Sequence, residues 1–118
     1  MSMYSIKKMQ NEHWQILVTA VDDINDGLIF IVDPAWTKIT DVGYMFNNLR
    51  ILEHEISRFK RVKICEEFSS FYDCKFDESS EEIYIDLDSE INLDEVVMSM
   101  VQACTAISTV INYERYWK

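Results

Sequence analysis

The sequence predicts a single α+β domain over residues 1–118: an antiparallel three-stranded meander plus a second hairpin, packed with two central helices and a long C-terminal helix. Three observations predict it. The unbroken apolar run Leu28-Ile29-Phe30-Ile31-Val32 stops at Asp33-Pro34, as a strand buried on both faces does at a tight turn. From Asp41 the apolar spacing switches to steps of three and four (Val42, Met45, Phe46, Leu49, Leu52), which is one face of a helix. Later, Ile83, Ile85 and Leu87 alternate with Glu82, Tyr84, Asp86 and Asp88, the pattern of a half-buried strand.

Taken in order, residues 3–12 carry Ile6 and Met9 three apart and are read as a short amphipathic helix. Trp14 to Val21 is strand-like. Asp26-Gly27 is a two-residue hairpin signal, because both central positions of the favoured turn require φ > 0. Asp33-Pro34 makes the next reversal: Pro presets φ and Asp bonds back to the turn backbone. Strands at 14–21, 28–32 and 36–40 therefore form the meander. The helix from Asp41 runs to about Glu55, and a second spans Ser57 to Phe71, with Phe59, Cys65, Phe68, Phe71 and Tyr72 on a shared face. Cys74–Phe76 and Glu82–Asp88 make the second hairpin around Asp77-Glu78-Ser79-Ser80. Asn92, with Glu95 three residues on, is a capping box for the last and longest helix. Its apolar face is Leu93, Val96, Val97, Met100, Cys104, Ile107 and Ile111.

Composition narrows the function classes. A chain of 118 residues with 48% apolar content buries a core without staples. No apolar run reaches the roughly 20 residues that span a bilayer, and no apolar stretch follows Lys7-Lys8 as in a signal peptide. Three widely spaced cysteines (Cys65, Cys74, Cys104) argue against a disulfide framework and for a reducing cytoplasm. The net charge of −10 disfavours direct nucleic-acid binding, which needs Lys and Arg on phosphates, and favours encounter with basic partners.

Ile39-Thr40-Asp41-Val42-Gly43-Tyr44 resembles the strand-to-helix signature of a family of small uncharacterised domains of bacteria and their phages: an apolar residue, Thr, Asp, any residue, Gly. The strand after Asp26-Gly27, the Ile83-Tyr84-Ile85 strand and the last helix, with Gln102-Ala103 and Ile107, fit the same family over roughly residues 14 to 110. The resemblance implies the fold order and a phage or bacterial setting. It implies no catalytic residue.

Side-chain chemistry points the same way. Gly27 and Gly43 are the only glycines, so neither a P-loop nor a dinucleotide fingerprint exists. A zinc site from His54, Cys65 and Cys74, or a Cys65–His54 nucleophile pair, is outweighed by a surface histidine and small buried thiols. Asp22, Asp23 and Asp26 fail as a calcium loop, since Ile24 and Asp33 fall where an oxygen ligand and a bidentate Glu belong. We therefore expect no enzyme, no metal and no cofactor. Arg58, Lys60, Arg61 and Lys63 read as the outer face of a helix, or as a patch pairing with the acidic face of a second copy in a homodimer.

One constellation stands apart. Between Asp73 and Glu95 lie ten of the 21 acidic residues against a single base, Lys75. Same-face strand residues repeat at about 6.6 Å, so Glu82, Asp86 and Asp88 form a row of carboxylates beside Tyr84. Asp94 and Glu95 suit the positive end of a helix dipole. The expected binding residues are Glu78, Glu81, Glu82, Tyr84, Asp86 and Asp88, facing a basic protein such as a nuclease or nucleoprotein effector. Phage counter-defence of the anti-CRISPR kind and toxin immunity are two settings for that physics. The competing expectation is a structural or regulatory dimerisation domain whose acidity serves only solubility.

Overall fold

A computed structural model describes residues 4–19, 28–50 and 57–117 of the chain. Its sheet has six strands in the order β1-β2-β3-β4-β6-β5, every neighbouring pair antiparallel. The meander is there: β2 (Trp14–Val18), β3 (Ile29–Val32) and β4 (Lys38–Thr40). The Asp26-Gly27 turn expected between the first two lies outside the described residues. At the next corner the Asp33 carboxylate accepts from Thr37 N (2.7 Å), Thr37 Oγ1 (2.6 Å) and Lys38 N (2.8 Å). Trp36, expected to open the strand, sits instead at φ 59 inside that turn, a left-handed backbone that no strand continues.

Two corrections concern how the pieces join. Residues 4–8, expected as a helix, form strand β1 (Tyr4–Lys8), paired with the whole of β2 from Tyr4↔Val18 to Lys8↔Trp14. An isolated helix of ten residues is marginal in water, whereas β2 offers a complete ladder one short turn away, closed by Met9 N to His13 O at 2.8 Å. The second hairpin, β5 (Lys75–Asp77) and β6 (Glu82–Asp86), is not separate either. It joins the meander through β4, with Lys38 opposite Asp86, Ile39 opposite Ile85 and Thr40 opposite Tyr84.

The helices complete one core. They are α1 (Tyr44–Arg50), α2 (Arg58–Phe71) and α3 (Leu93–Trp117). Ile16, Val18, Phe30, Val32, Ile39 and Ile83 project from one face of the sheet and pack with Met45, Phe46, Val62, Cys65, Val97, Met100, Cys104 and Ile107. Asn92 caps α3 as expected, its Oδ1 accepting from Glu95 N at 3.3 Å. Ser57 caps α2, its Oγ accepting from Lys60 N at 3.2 Å. The buried stripe of α2, however, is Arg61, Val62, Cys65 and Ser69. Phe59 and Phe71, placed on the core face by the sequence, are 77% and 78% exposed. Arg61, placed on the outer face, is the residue that turns inward.

Candidate interaction face and the corner that supports it

The other face of the sheet carries the candidate site. Strand alternation and register put Leu17, Ile29, Ile31, Lys38, Thr40, Glu82, Tyr84 and Asp86 on this side, opposite the face on which the helix residues of the core pack; of these, Thr40 is buried. The apolar run of β3 is therefore buried on one face only: Phe30 and Val32 point into the core, while Ile29 is 41% exposed and Ile31 half-buried. Leu17, 38% exposed, lies directly opposite Ile29.

Of the six expected binding residues, Glu82, Tyr84 and Asp86 come together on β6. Glu78 and Glu81 lie in the β5–β6 turn beyond one end of the strand, and Asp88 lies beyond the other, its Oδ1 accepting from Glu90 N at 2.9 Å. Three thus sit on a strand about 17 Å long and three lie beyond its ends, and the six are not gathered in a pocket. Nor is the row bare charge. Lys38 Nζ reaches Glu82 Oε2 at 3.0 Å and lies 5.3 Å from the centre of the Tyr84 ring. Lys75 Nζ bonds Asp86 Oδ2 at 2.8 Å, and an Arg58 guanidinium nitrogen stands 3.7 Å from Glu81 Oε2. The hydrogen bond to Glu82 holds the Lys38 pKa above the usual lysine value, and Asp86 does the same for Lys75. Lys38 and Arg58 are far from the acidic block in sequence, so only the fold reveals them as its counter-ions.

The sheet face meets the first helix at a corner whose chemistry the sequence hid. Asp41, 1% exposed, lies between β4 and α1. Its Oδ1 accepts from Gly43 N at 2.9 Å and Ile83 N at 3.0 Å, and its Oδ2 accepts from Met45 N at 3.0 Å. One carboxylate thus ties the strand end, the first turn of α1 and the start of β6. Burial pushes the Asp41 carboxyl above the usual carboxylate range, and the three N–H donors pull it back only in part. Beside it Val42 (φ 50), Gly43 (φ 81) and Glu81 (φ 62) all occupy left-handed backbone, with Val42 and Tyr44 held outward. A β-branched residue there is a strained one. A Cβ on Gly43 stands 3.4 Å from the Glu81 carbonyl oxygen. We expect Gly43→Ala to cost about 1–2 kcal/mol through its positive φ, read as a shift in the urea midpoint with unchanged slope; no shift overturns this role for Gly43.

The cysteines are core residues. Burial pushes the Cys65 and Cys74 thiols up to about 12, and Cys104 is raised as well. At neutral pH these side chains are thiols, not the thiolates that nucleophilic chemistry uses. His54, the base that a Cys65 nucleophile would need, lies outside the described residues. Among the described residues no group of three or more His, Cys, Asp or Glu side chains is placed to hold a metal ion, and no described helix is long and apolar enough to cross a membrane.

Residues 18–107 match the family model described as Domain of unknown function DUF1828. No curated protein and no solved structure matches the chain.

Proposed function

Since the chain belongs to the DUF1828 family of domains of unknown function, which lends it no chemistry, we propose from its own surface that it is an acidic, non-enzymatic interaction protein of the cytoplasm that docks on a basic nucleic-acid-binding protein. The observation that carries this reading is the position of Glu82, Tyr84 and Asp86 on the face of the sheet away from the helical core, Asp86 exposed and the other two half-buried. A β-ladder holds their backbone rigid, so a partner's Arg and Lys meet carboxylates already in place. Tyr84 offers the aromatic anchor that interface centres favour. In this reading Glu78, Glu81 and Asp88 extend the row at its two ends, and the whole imitates a run of phosphates. Inhibition of a nuclease or nucleoprotein effector, as in phage counter-defence or toxin immunity, is the biological form such docking takes.

The Lys38 ammonium is part of the proposal. It occupies Glu82 and covers Tyr84, so it competes with the incoming cation, and its removal frees both groups. The test is a pull-down from a lysate rich in nucleic-acid-processing proteins, at low and high salt. Wild type, a Glu82→Lys/Asp86→Lys/Asp88→Lys triple variant and Lys38→Met are compared, and the captured protein is then competed with DNA. We expect capture by wild type, stronger capture by Lys38→Met, none by the triple variant, and loss at high salt. Equal capture by all three proteins, or none by any, reduces the acidic face to a solvated surface and ends the proposal.

A further inference from the structure

We infer that the partner of this face is anchored by apolar side chains on the platform formed by Leu17, Ile29 and Ile31, beside the acidic strand. The inference rests on the acidic-face reading and adds the chemistry of the partner: a protein surface bearing an apolar group and, displaced from it, basic ones.

Leu17 and Ile29 are a cross-strand pair, and Ile31 is two residues along the same strand on the same face. Single exposed apolar residues are ordinary, but a contiguous set on a rigid surface is characteristic of a docking site. The same face then changes character across the sheet. From Ile31 the next residue is Thr40 on β4, and the next Tyr84 on β6, flanked by Glu82 and Asp86. With strands about 4.8 Å apart, the midpoint between Leu17 and Ile29 lies about 12 Å from β6. An apolar centre bordered on one side by carboxylates is complementary to an apolar–basic partner. A second copy of the chain fits less well. Each copy carries a net charge of −10, this face's Lys38 and Lys75 are already paired with Glu82 and Asp86, and Lys7 lies at its far edge, opposite Gln15 on β2. Charge of that size keeps like copies apart. A nucleic acid is excluded by the same sign.

The two contributions separate by their salt dependence, because burial of apolar surface is insensitive to screening and ion pairing is not. The probes are two synthetic peptides of equal length and charge. One repeats Ile-Ser-Ile-Ser-Arg-Ser-Arg, in which the central Ile and the second Arg are four residues apart, about 13 Å when extended. The other has Ser in place of both Ile residues. Binding is followed by amide chemical-shift titration of wild type, of Leu17→Thr/Ile29→Thr and of Glu82→Lys/Asp86→Lys. Thr retains the β preference of these exposed positions, and the unperturbed dispersion of the spectrum checks that each variant is folded.

We expect wild type to bind the Ile peptide at least tenfold more tightly than the Ser peptide, with shifts centred on Leu17, Ile29 and Ile31. The Leu17→Thr/Ile29→Thr variant should lose that difference and keep the salt slope. The Glu82→Lys/Asp86→Lys variant should lose the slope and bind both peptides weakly. Equal affinity of wild type for the two peptides overturns the platform and leaves the acidic-face reading standing. No binding of either peptide at low salt overturns both. Dimerisation of wild type in sedimentation, abolished by Leu17→Thr/Ile29→Thr, overturns the basic partner in favour of a second copy.

Discussion

Asp41→Ala lowers the unfolding free energy by about 3–5 kcal/mol, a large share of what a domain of this size possesses. The size follows from what is orphaned. Three backbone donors, on Gly43, Met45 and Ile83, lose their acceptor together, the bonds to Met45 and Ile83 being buried and that to Gly43 part-buried. Each buried unsatisfied donor costs about 1–3 kcal/mol, offset in part because the buried carboxylate's own desolvation is relieved. Asp41→Asn is the sharper probe. Its oxygen can serve Gly43 and Ile83 in place of Oδ1, but its amide then points a donor at the Met45 N–H. We expect it to cost about 1–3 kcal/mol for that one bond. Urea unfolding with both variants checks the pair; a loss below about 1 kcal/mol for Asp41→Ala sinks the account.

The same residue sets a pH dependence with a defined sign. Its pKa in the fold is raised above the unfolded value of 3.8. Between the two values the native state holds a proton that the unfolded state has released, so stability falls as pH rises. The contribution is complete below 3.8 and is lost as pH climbs through the folded value. Asp33 runs the opposite way: partial burial pushes it up, but the bonds from Thr37 and Lys38 prevail and hold it low. Its contribution is present above 3.8 and is lost as pH falls through its folded value. Subtracting the stability of Asp41→Asn from that of wild type cancels Asp33. The difference should decline from pH 4 towards neutrality, and a rising difference refutes the assignment.

The elements that were legible in the sequence are those whose residues answer to one local demand. Val32 ends a strand at Asp33-Pro34 and Asn92 caps α3, because turn and cap chemistry is settled within four or five residues. Strand β1 was illegible because Tyr4–Lys8 carries little apolar signal of its own. It is a strand because β2 needs a partner. Arg61 and Phe59 exchanged places for a related reason. Helical spacing permits several stripes on α2, and the one that turns inward brings Arg61 over the Phe46 ring, a tertiary neighbour. The acidic row was legible as a charge pattern, and alternation put Glu82, Tyr84 and Asp86 on a common face, but Asp88, expected in the same row, lies past the end of β6. The row's partial neutralisation by Lys38 and Arg58 was not legible, since both are tertiary neighbours. Asp41 was visible as one letter of a signature and as the start of a helix; that it also binds Ile83 N depends on β6 arriving from 42 residues away.

Phe46 and Arg61 make the second large effect. The Phe46 ring, 1% exposed, stacks on Phe76 at 5.7 Å with 14° between the planes. The guanidinium carbon of Arg58 stands 5.7 Å from the ring centre and that of Arg61 5.2 Å. Phe46→Ala removes the stack and opens a cavity, costing about 3–5 kcal/mol. Arg61 is the unusual member. It is 7% exposed, and its Nε and Nη1 are buried without a hydrogen-bond acceptor among the described residues. Two unsatisfied donors at about 1–3 kcal/mol each outweigh a cation–π contact worth about 0.5–2 kcal/mol. Arg61→Met keeps the long apolar stem and discards both donors, so it should raise stability by about 1–2 kcal/mol despite deleting a buried charge. In the Phe46→Ala background the guanidinium has lost its ring as well, and the same substitution should then gain a further ~0.5–2 kcal/mol, the coupling between the two. Urea unfolding of the four proteins closes this cycle. Destabilisation by Arg61→Met in the wild-type background would show that the ring contact is worth more than the unmet donors cost.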